Sequence, residues 1–448
     1  MTQQPVKLLV CKLAIPTIIA MVTTALYNIV DAAFIGRLST EGTAGIGISF
    51  GYMTFIQALG FFFGHGSGNY ISRALGAKDA SSASVVASVG FFTPVILGMF
   101  AAIVCLTNLS GLSRLLGAPT EVVPYANDYL CFIVAATPFM MSALTLNNQL
   151  RLQGNATFGM IGIVSGAVLN IVLDPLFIFV LDMGVKGASL ATAISQLFAW
   201  GLLLYGTFRP ESVHITFRDF KPSLRVYYEI FRGGLPSLFR QLFNCAAAIS
   251  LNYCAALYAA PGQEASAVAA FAVVTRIMMF AFSVVLGFCQ GFQPVCGFNY
   301  GAKLYGRVRE SYLFALSVSS AFLLVISTVG YLLAPHIVAL FRAEDPVLIE
   351  IGAVTLRWQC VAFPLVALCT CTNMLFQNIR MTFPATLLSI SRNGLFFLPA
   401  VLILPIYLGL LGVQMAQAVA DVFTFMLSLP YAVWITRTLT RKNNANNI

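Results

Sequence analysis

Residues 66–78, GSGNYISRALGAK, have a counterpart in residues 291–303, GFQPVCGFNYGAK. The two stretches align without a gap, so Gly66 matches Gly291 and the two Gly-Ala-Lys endings coincide. Three further pairs match in the same order: Pro16 with Pro236, Pro138 with Pro364, and Gly184 with Gly412. Ordered matches at a nearly constant separation indicate that the chain consists of two related halves.

The composition indicates that both halves lie in a membrane. Of the 448 residues, 59% are hydrophobic and 9% are charged, against about 25% charged residues in soluble domains. Apolar runs of about 20 residues, long enough to cross a hydrocarbon core as a helix, recur along the chain. We predict twelve spans, at 13–36, 46–71, 84–107, 125–150, 158–181, 187–208, 233–257, 265–290, 311–333, 351–378, 382–406 and 412–436.

The predicted fold is an all-α integral membrane protein of twelve transmembrane helices in two pseudo-symmetric six-helix bundles. Residues 1–208 form the N-terminal lobe, the polar segment 209–232 is a cytoplasmic linker, and residues 233–448 form the C-terminal lobe. Each half has an even number of spans, so both enter from the same side and their two-fold axis follows the membrane normal. Such pairs are typical of transporters whose central cavity opens alternately to each face.

The distribution of basic residues predicts the orientation. Most of the 25 lysines and arginines fall on the side of the termini, and only four fall on the opposite side: Arg37, Arg114, Lys186 and Arg342. By the positive-inside rule both termini are cytoplasmic, in a cell inner (plasma) membrane. The net charge of +9 follows from this bias and from attraction to anionic lipid, so we expect no nucleic-acid partner.

Three carboxylates lie at least five residues from either end of a predicted span, at a depth where each needs a partner, a cavity or a proton. They are Asp31, Asp174 and Asp421. In LNIVLDPLFIF (169–179), Asn170 and Asp174 are four residues apart and share one helix face. Pro175 lacks an amide hydrogen, which frees a backbone carbonyl and favours a bend. These oxygens suit a proton or Na⁺.

Here the chain resembles the multidrug and toxic compound extrusion (MATE) family over essentially its whole length. The resemblance rests on the order of several motifs: Pro16 and Asp31 in the first span, SRALGAKD after the second, NxxxDP at Asn170–Pro175, and GxxGASLAT from Gly184. It implies a cation-coupled antiporter, driven by H⁺ or Na⁺, that exports organic, cationic and amphipathic compounds. No His/Cys/Asp cluster, Ser-His pairing or phosphate loop recurs at useful spacing, so we expect no enzymatic activity and no cofactor, and mechanically a monomer suffices.

The family resemblance implies a cation-coupling site within the N-terminal lobe. Its residues here are Asp31, Asn147, Asn170, Asp174 and Thr192; Asn147 and Thr192 come from the resemblance alone. Another branch of the family has acids in spans seven and ten. This chain has none there, which favours the MepA- or DinF-like branch. Pro138, Pro175 and Pro364 are the predicted helix bends.

Structural readings of the same residues remain open. Asp31 could pair with Arg37, and Asn170 with Asp174 could simply tie two helices together. Arg276 and Arg392 could contact substrate, hold helices together or face water. Asp421 could contact the linker or one of the buried arginines, or act in transport. The ten cysteines and three histidines have no metal-ligand spacing. The alternative function is a flippase for a lipid-linked saccharide, which clustering of Arg240, Arg276, Arg357 and Arg392 in a cavity would favour.

Overall fold

The computed structural model describes residues 1–35, 40–210, 212–341 and 345–446, and it describes no side chain at residues 28, 29, 31–33, 35, 40 and 446. Within these ranges the chain is helical and contains no strand. Arg37 and Arg342, which the topology argument uses, lie outside the described residues, as does the side chain of Asp31.

The first lobe contains six long helices. They are α1 (Val6–Ile35), α2 (Thr40–Gly76), α3 (Ala80–Thr107), α4 (Val123–Leu152), α5 (Ala156–Val180) and α6 (Gly184–Thr207). A short helix, Leu109–Leu115, connects α3 to α4. Each of the six is long and apolar enough to cross a membrane.

The second lobe repeats this arrangement. Its helices are α7 (Leu224–Leu257), α8 (Glu264–Gly301), α9 (Tyr305–Leu332), α10 (Pro346–Asn378), α11 (Thr382–Leu408) and α12 (Leu410–Asn446). A short helix, Ala334–Ala339, again follows the third of them. Of the twelve long helices that the structure describes, α7 is the one that is less apolar than a membrane span. Its mean hydropathy is lowered by Arg240, Gln241, Asn244 and Asn252. The predicted all-α fold with two six-helix lobes is confirmed.

Helix α7 begins earlier than the predicted span. The Ser223 hydroxyl accepts a hydrogen bond from the Val226 amide (3.3 Å) and caps the helix. Residues 224–232, which the sequence suggested were linker, therefore form the first turns of α7. The charged side chains of these residues are typical of a loop in a membrane protein. A helix can also contain them where it extends beyond the hydrocarbon core.

The internal repeat is visible in the backbone. Lys78 and Lys303, matched in the sequence, both adopt positive φ angles, 63° and 59°. The structure changes one match: Gly184 (φ 54°) corresponds to Gly409 (φ 58°), not to Gly412. Gly412 instead corresponds to Gly187, since each lies against a backbone carbonyl near the end of the preceding helix. The predicted match of Gly184 with Gly412 is therefore wrong by three residues, or about one helical turn.

The repeated stretches form the contact between the lobes. A side chain at Gly76 would collide with the carbonyl of Phe298, and one at Gly301 would collide with the carbonyl of Arg73. Gly291 packs against the backbone of Ala14 in the same way. These glycines let α2 and α8 approach their neighbours in the other lobe closely.

Candidate functional site

A buried polar cluster lies between α5 and α6. Asp174 is 0% exposed, and Asn170 and Thr192 are 2% and 3% exposed. The Asn170 amide donates to Asp174 Oδ1 (3.2 Å) and to Thr192 Oγ1 (3.4 Å). Thr192 in turn donates to the carbonyl of Ala188 (3.0 Å), which leaves its lone pairs for Asn170. The structure thus brings together three of the five predicted coupling residues.

The orientation of the Asn170 side chain leaves one buried hydrogen-bond acceptor of this cluster without a donor. Both of its amide hydrogens are used, while its carbonyl oxygen has no hydrogen-bond partner among the described residues. Buried polar groups are normally hydrogen-bonded, so such an oxygen needs an explanation. A carboxylate, an amide oxygen and a hydroxyl in one place can take up a proton or a hard cation.

The backbone beside this cluster departs from the α-helix. The α-helical part of α5 ends at Pro175, and residues Leu176–Val180 continue as a π-helix. Proline cannot bond the carbonyl four residues before it, so the ladder is interrupted directly after Asp174. Single π-turns inside helices are frequent at functional sites. Gly187 of α6 packs against this segment at Phe177.

The other predicted bends have different local structures. Pro364 lies in a 3₁₀ turn, Phe363–Leu365, that interrupts α10. Pro138 lies within the unbroken helix α4. The bending roles of these prolines remain predictions.

Asn147 lies apart from the cluster. Its amide donates to the carbonyl of Gly159 (2.9 Å) at the beginning of α5. Gly159 and Asn170 are separated by about 16 Å along the helix axis, at a rise of 1.5 Å per residue. Asn147 and Gly159 line a separate cavity of about 10 Å³ together with Thr17, Arg151 and Gln290, which is about the space of one water molecule.

Asp31 belongs to α1, and its side chain is outside the described residues. Its part in the site, and the alternative pairing with Arg37, therefore stay predictions.

The corresponding helices of the second lobe, α11 and α12, are joined by an ion pair. Arg392 donates to Asp421 through Nε (2.8 Å to Oδ1) and Nη2 (3.3 Å to Oδ2). Gln417 also donates to Asp421 (2.9 Å). Arg392 lies within a π-helix, Ser391–Phe396, and its guanidinium lies 5.3 Å from the centre of the Phe282 ring. Arg276, by contrast, is exposed.

The lobes are joined on one side of the protein. We call the side of the chain termini the terminal side. The hydrogen bonds that described residues form between the lobes lie from that side to the middle of the helices, as Thr17 to the Gly287 carbonyl (2.6 Å) and Gln241 to Gln57 (3.4 Å) show. Asp174 and Thr192 lie in the other half of the first lobe.

Arg151 is the residue of this joint that sequence reasoning missed. Only 2% of it is exposed, and it donates across the interface to the Gln290 carbonyl (2.8 Å) and to Gln293 (2.6 Å). Within its own lobe it donates to Asn148 (2.7 Å). The predicted fourth span ends at residue 150, so the sequence indicated only that Arg151 lies on the terminal side. The run of polar residues before it, NNQ (147–149), was the available signal.

In the described part of the chain, no group of three His, Cys, Asp or Glu residues is arranged to hold a metal ion. The polar cluster between α5 and α6 therefore offers oxygen ligands without a preformed transition-metal site.

Comparison with known proteins identifies the kind of molecule. The MatE family model matches residues 16–176 and 236–402, one match in each lobe. The chain is 28% identical to the multidrug export protein MepA of Staphylococcus aureus (strain NCTC 8325 / PS 47) over 411 residues, covering 91% of this chain and 89% of that protein. It is 26% identical to MepA of Staphylococcus haemolyticus (strain JCSC1435) over 419 residues, covering 93% and 91%.

A solved structure has the same fold throughout. It is described as the outward-facing conformation of a multidrug resistance MATE family transporter of the MOP superfamily. The two structures superpose with a TM-score of 0.91 at 30% sequence identity, and the match covers 98% of each chain.

Proposed function

The chain belongs to the MatE family, and we propose that it is a cation-coupled antiporter that exports organic, cationic and amphipathic compounds. The predicted MATE membership and MepA-like branch are confirmed, and the chain is a multi-pass membrane transporter, not an enzyme. The export activity is taken from the names of its relatives. The observation that carries the coupling proposal is the buried Asn170–Asp174–Thr192 cluster.

The proposed mechanism begins with ion entry into the first lobe. H⁺ or Na⁺ enters from the side opposite the termini, where Asp174 lies beyond the joint between the lobes. The ion removes the negative charge of the cluster and changes the hydrogen bonds of Asn170. The π-helical segment after Pro175 responds, and substrate is released outward.

The ion can drive this change only if the two conformations bind it unequally. We expect the contacts between the lobes to differ between the two conformations, because these contacts must break when the terminal side opens. The joint at Thr17, Arg151 and Arg73, which donates to the Asn378 carbonyl of the second lobe (2.8 Å), would then exchange its protein hydrogen bonds for water. We propose both termini on the cytoplasmic side of a cell inner membrane, and a monomer as the working unit.

The flippase alternative is not favoured. It required four arginines to cluster in a cavity, but Arg357 donates to the Tyr331 carbonyl of α9 (3.5 Å) and Arg392 is paired with Asp421. Arg240 alone is half-buried without an ion pair to a described residue. A phosphate-binding cavity would need several free cations together.

The test of coupling uses purified protein in liposomes loaded with a fluorescent organic cation such as ethidium. A pH gradient and a Na⁺ gradient are imposed separately. We expect one of them to drive efflux, and we expect Asp174→Asn and Asp31→Asn to reduce that efflux to the level of protein-free liposomes. The amide keeps the size of the carboxyl group but cannot take up a proton or supply a charge.

Asp128→Asn is the matched control, since Asp128 forms a solvent-exposed ion pair with Lys186 (3.2 Å) in the same lobe. It should transport normally. Full gradient-driven efflux by both Asp174→Asn and Asp31→Asn would refute the coupling site, and a lack of efflux under either gradient would refute the exporter.

Thr192 provides a finer test of the same cluster. Thr192→Val keeps the side-chain volume but removes the acceptor of the Asn170 amide. We expect the ion concentration that gives half-maximal efflux to rise roughly fivefold, the equivalent of one hydrogen bond. Thr192→Ser should remain near the wild type. Equal behaviour of the two variants would show that the hydroxyl plays no part.

A further inference from the structure

An aromatic groove lies on the terminal side, outside the cluster between α5 and α6. It encloses about 670 Å³ between the beginning of α7 and the middle of α2. The walls are almost entirely apolar. They are also open to the surroundings of the protein, since Leu224 and Tyr228 are 90% and 58% exposed. The groove is lined by Phe62, Phe63, Arg225, Tyr227, Tyr228 and Phe231.

One end of this groove is positively charged. Arg225 lines it, is exposed, and forms no hydrogen bond or ion pair through its side chain with any residue that the structure describes. Arg218 and Lys221 precede it and are also exposed. The acidic residue between them, Asp219, accepts a hydrogen bond from Thr216 (2.8 Å).

Charge and apolar surface are separated along the groove. Arg225 stands at the first turn of α7, whereas Phe231 lies about 9 Å further along the helix axis and packs against Phe62 of α2 (ring centres 6.0 Å apart). Basic groups at the surface with aromatic side chains beneath match the two parts of a membrane lipid.

We propose that this groove binds an anionic phospholipid from the leaflet on the terminal side. Its phosphate lies against Arg225, with Lys221 and Arg218 nearby, and an acyl chain lies along Tyr228, Phe231 and Phe62. This side carries most of the basic residues. The cytoplasmic leaflet, which the positive-inside rule assigns to it, is the one that holds anionic lipids.

The position of the groove gives the lipid a structural effect. The Tyr227 hydroxyl contacts the Thr93 hydroxyl of α3 in the first lobe (3.1 Å). Two residues later, buried Glu229 pairs with Arg380, which lies between α10 and α11 of its own lobe. A lipid held on this part of α7 would therefore stabilise the segment that joins the lobes. The proposal does not depend on which ion drives transport.

The experiment uses the full chain purified in dodecylmaltoside and titrated with dioleoyl phosphatidylglycerol, dioleoyl phosphatidylcholine or inorganic phosphate. Bound lipids are counted by native mass spectrometry, and the midpoint of thermal unfolding is recorded. We expect phosphatidylglycerol to bind and raise Tm more than phosphatidylcholine. Arg225→Gln should weaken phosphatidylglycerol binding about fivefold, as expected for one basic residue near a lipid headgroup.

Arg309→Gln is the matched control, because Arg309 is exposed on the terminal-side end of α9, away from the groove. It should bind phosphatidylglycerol like the wild type. Phe231→Ala should weaken binding of both lipids by removing an acyl contact, and Lys221→Gln provides a second charge variant.

Equal binding of the two lipids by the wild type would overturn the proposal, as would equal losses in Arg225→Gln and Arg309→Gln. A Tm increase with inorganic phosphate alone that depends on Arg225 would overturn the lipid assignment in favour of a free anion.

Discussion

The two lobes share a helical frame but differ in the polar groups at their centres. Asn147 donates to the carbonyl of Gly159 in the first lobe, and Asn373 donates to the carbonyl of Ala385 in the second. These contacts correspond under the internal repeat. The two lobes therefore share their helical framework but differ in their charged residues. We expect any difference in function between the lobes to depend on those charged residues.

The difference is clearest in the fifth helix of each lobe. Both helices contain a π-helical segment. In the first lobe it follows Asp174, whose carboxylate meets the neutral amide of Asn170. In the second it contains Arg392, which is bound to Asp421 by two hydrogen bonds. A carboxylate with a fixed cationic partner has little reason to take up an ion, so we expect the second-lobe pair to give structural support rather than coupling.

The largest stability effect should come from breaking the second-lobe pair. Asp421→Ala leaves the Arg392 guanidinium partly buried without its counter-charge, and we expect a loss of about 3 kcal/mol in the free energy of unfolding. Replacing both residues, Arg392→Met with Asp421→Leu, should recover most of that loss. Chemical unfolding in detergent measures both.

The same variants sharpen the comparison in a transport assay. Protein that remains folded after the double replacement should keep ion-driven efflux, unlike Asp174→Asn. Loss of ion dependence in the stable double variant would mean that the second lobe also couples.

A smaller effect is expected from the matched asparagines. Asn373 is buried, bonds Ser389 as well as Ala385, and accepts a hydrogen bond from Gln377 (2.7 Å). Asn147 is half-buried and makes one such bond. We expect Asn373→Ala to cost about 2 kcal/mol and Asn147→Ala about 1 kcal/mol. If Asn147→Ala instead removes ion dependence with little loss of stability, Asn147 belongs to the coupling path despite its distance from Asn170.

The smallest effect concerns the helix start that follows each repeated Gly-Ala-Lys. Asp79 caps α3 by accepting a hydrogen bond from the Ser82 amide (3.0 Å), and its bonds to Ser82 lower the pKa of the carboxyl group. The cap therefore stabilises the helix at neutral pH and is lost as the pH falls through that lowered pKa.

The corresponding residue before α9 is Leu304, which makes no side-chain cap. Leu304→Asp should add about 0.5 kcal/mol of stability at pH 7 and little at pH 2, measured as a change in Tm. An equal gain at both pH values would show that the new carboxylate does not act as a cap.

Sequence reasoning reached the fold through long apolar runs and repeated glycines, and it reached the cluster through the spacing of Asn170 and Asp174. Sequence reasoning could not predict that Asn147 lies far from Asn170, because a family motif identifies residues but does not give the distances between them. It did not show that Arg151 belongs to α4 and donates to the other lobe, since the end of an apolar run does not indicate where a long helix ends.

The sequence by itself determined the number of spans, their grouping into two lobes and the cost of a carboxylate at Asp174, because hydrophobic length and charge act locally in lipid. Only the tertiary structure decided which charges are neutralised by partners. Asp421 and Arg392 lie on different helices, and Arg151 finds its acceptors in the other lobe. Such pairings depend on how helices pack side by side, which no local pattern records.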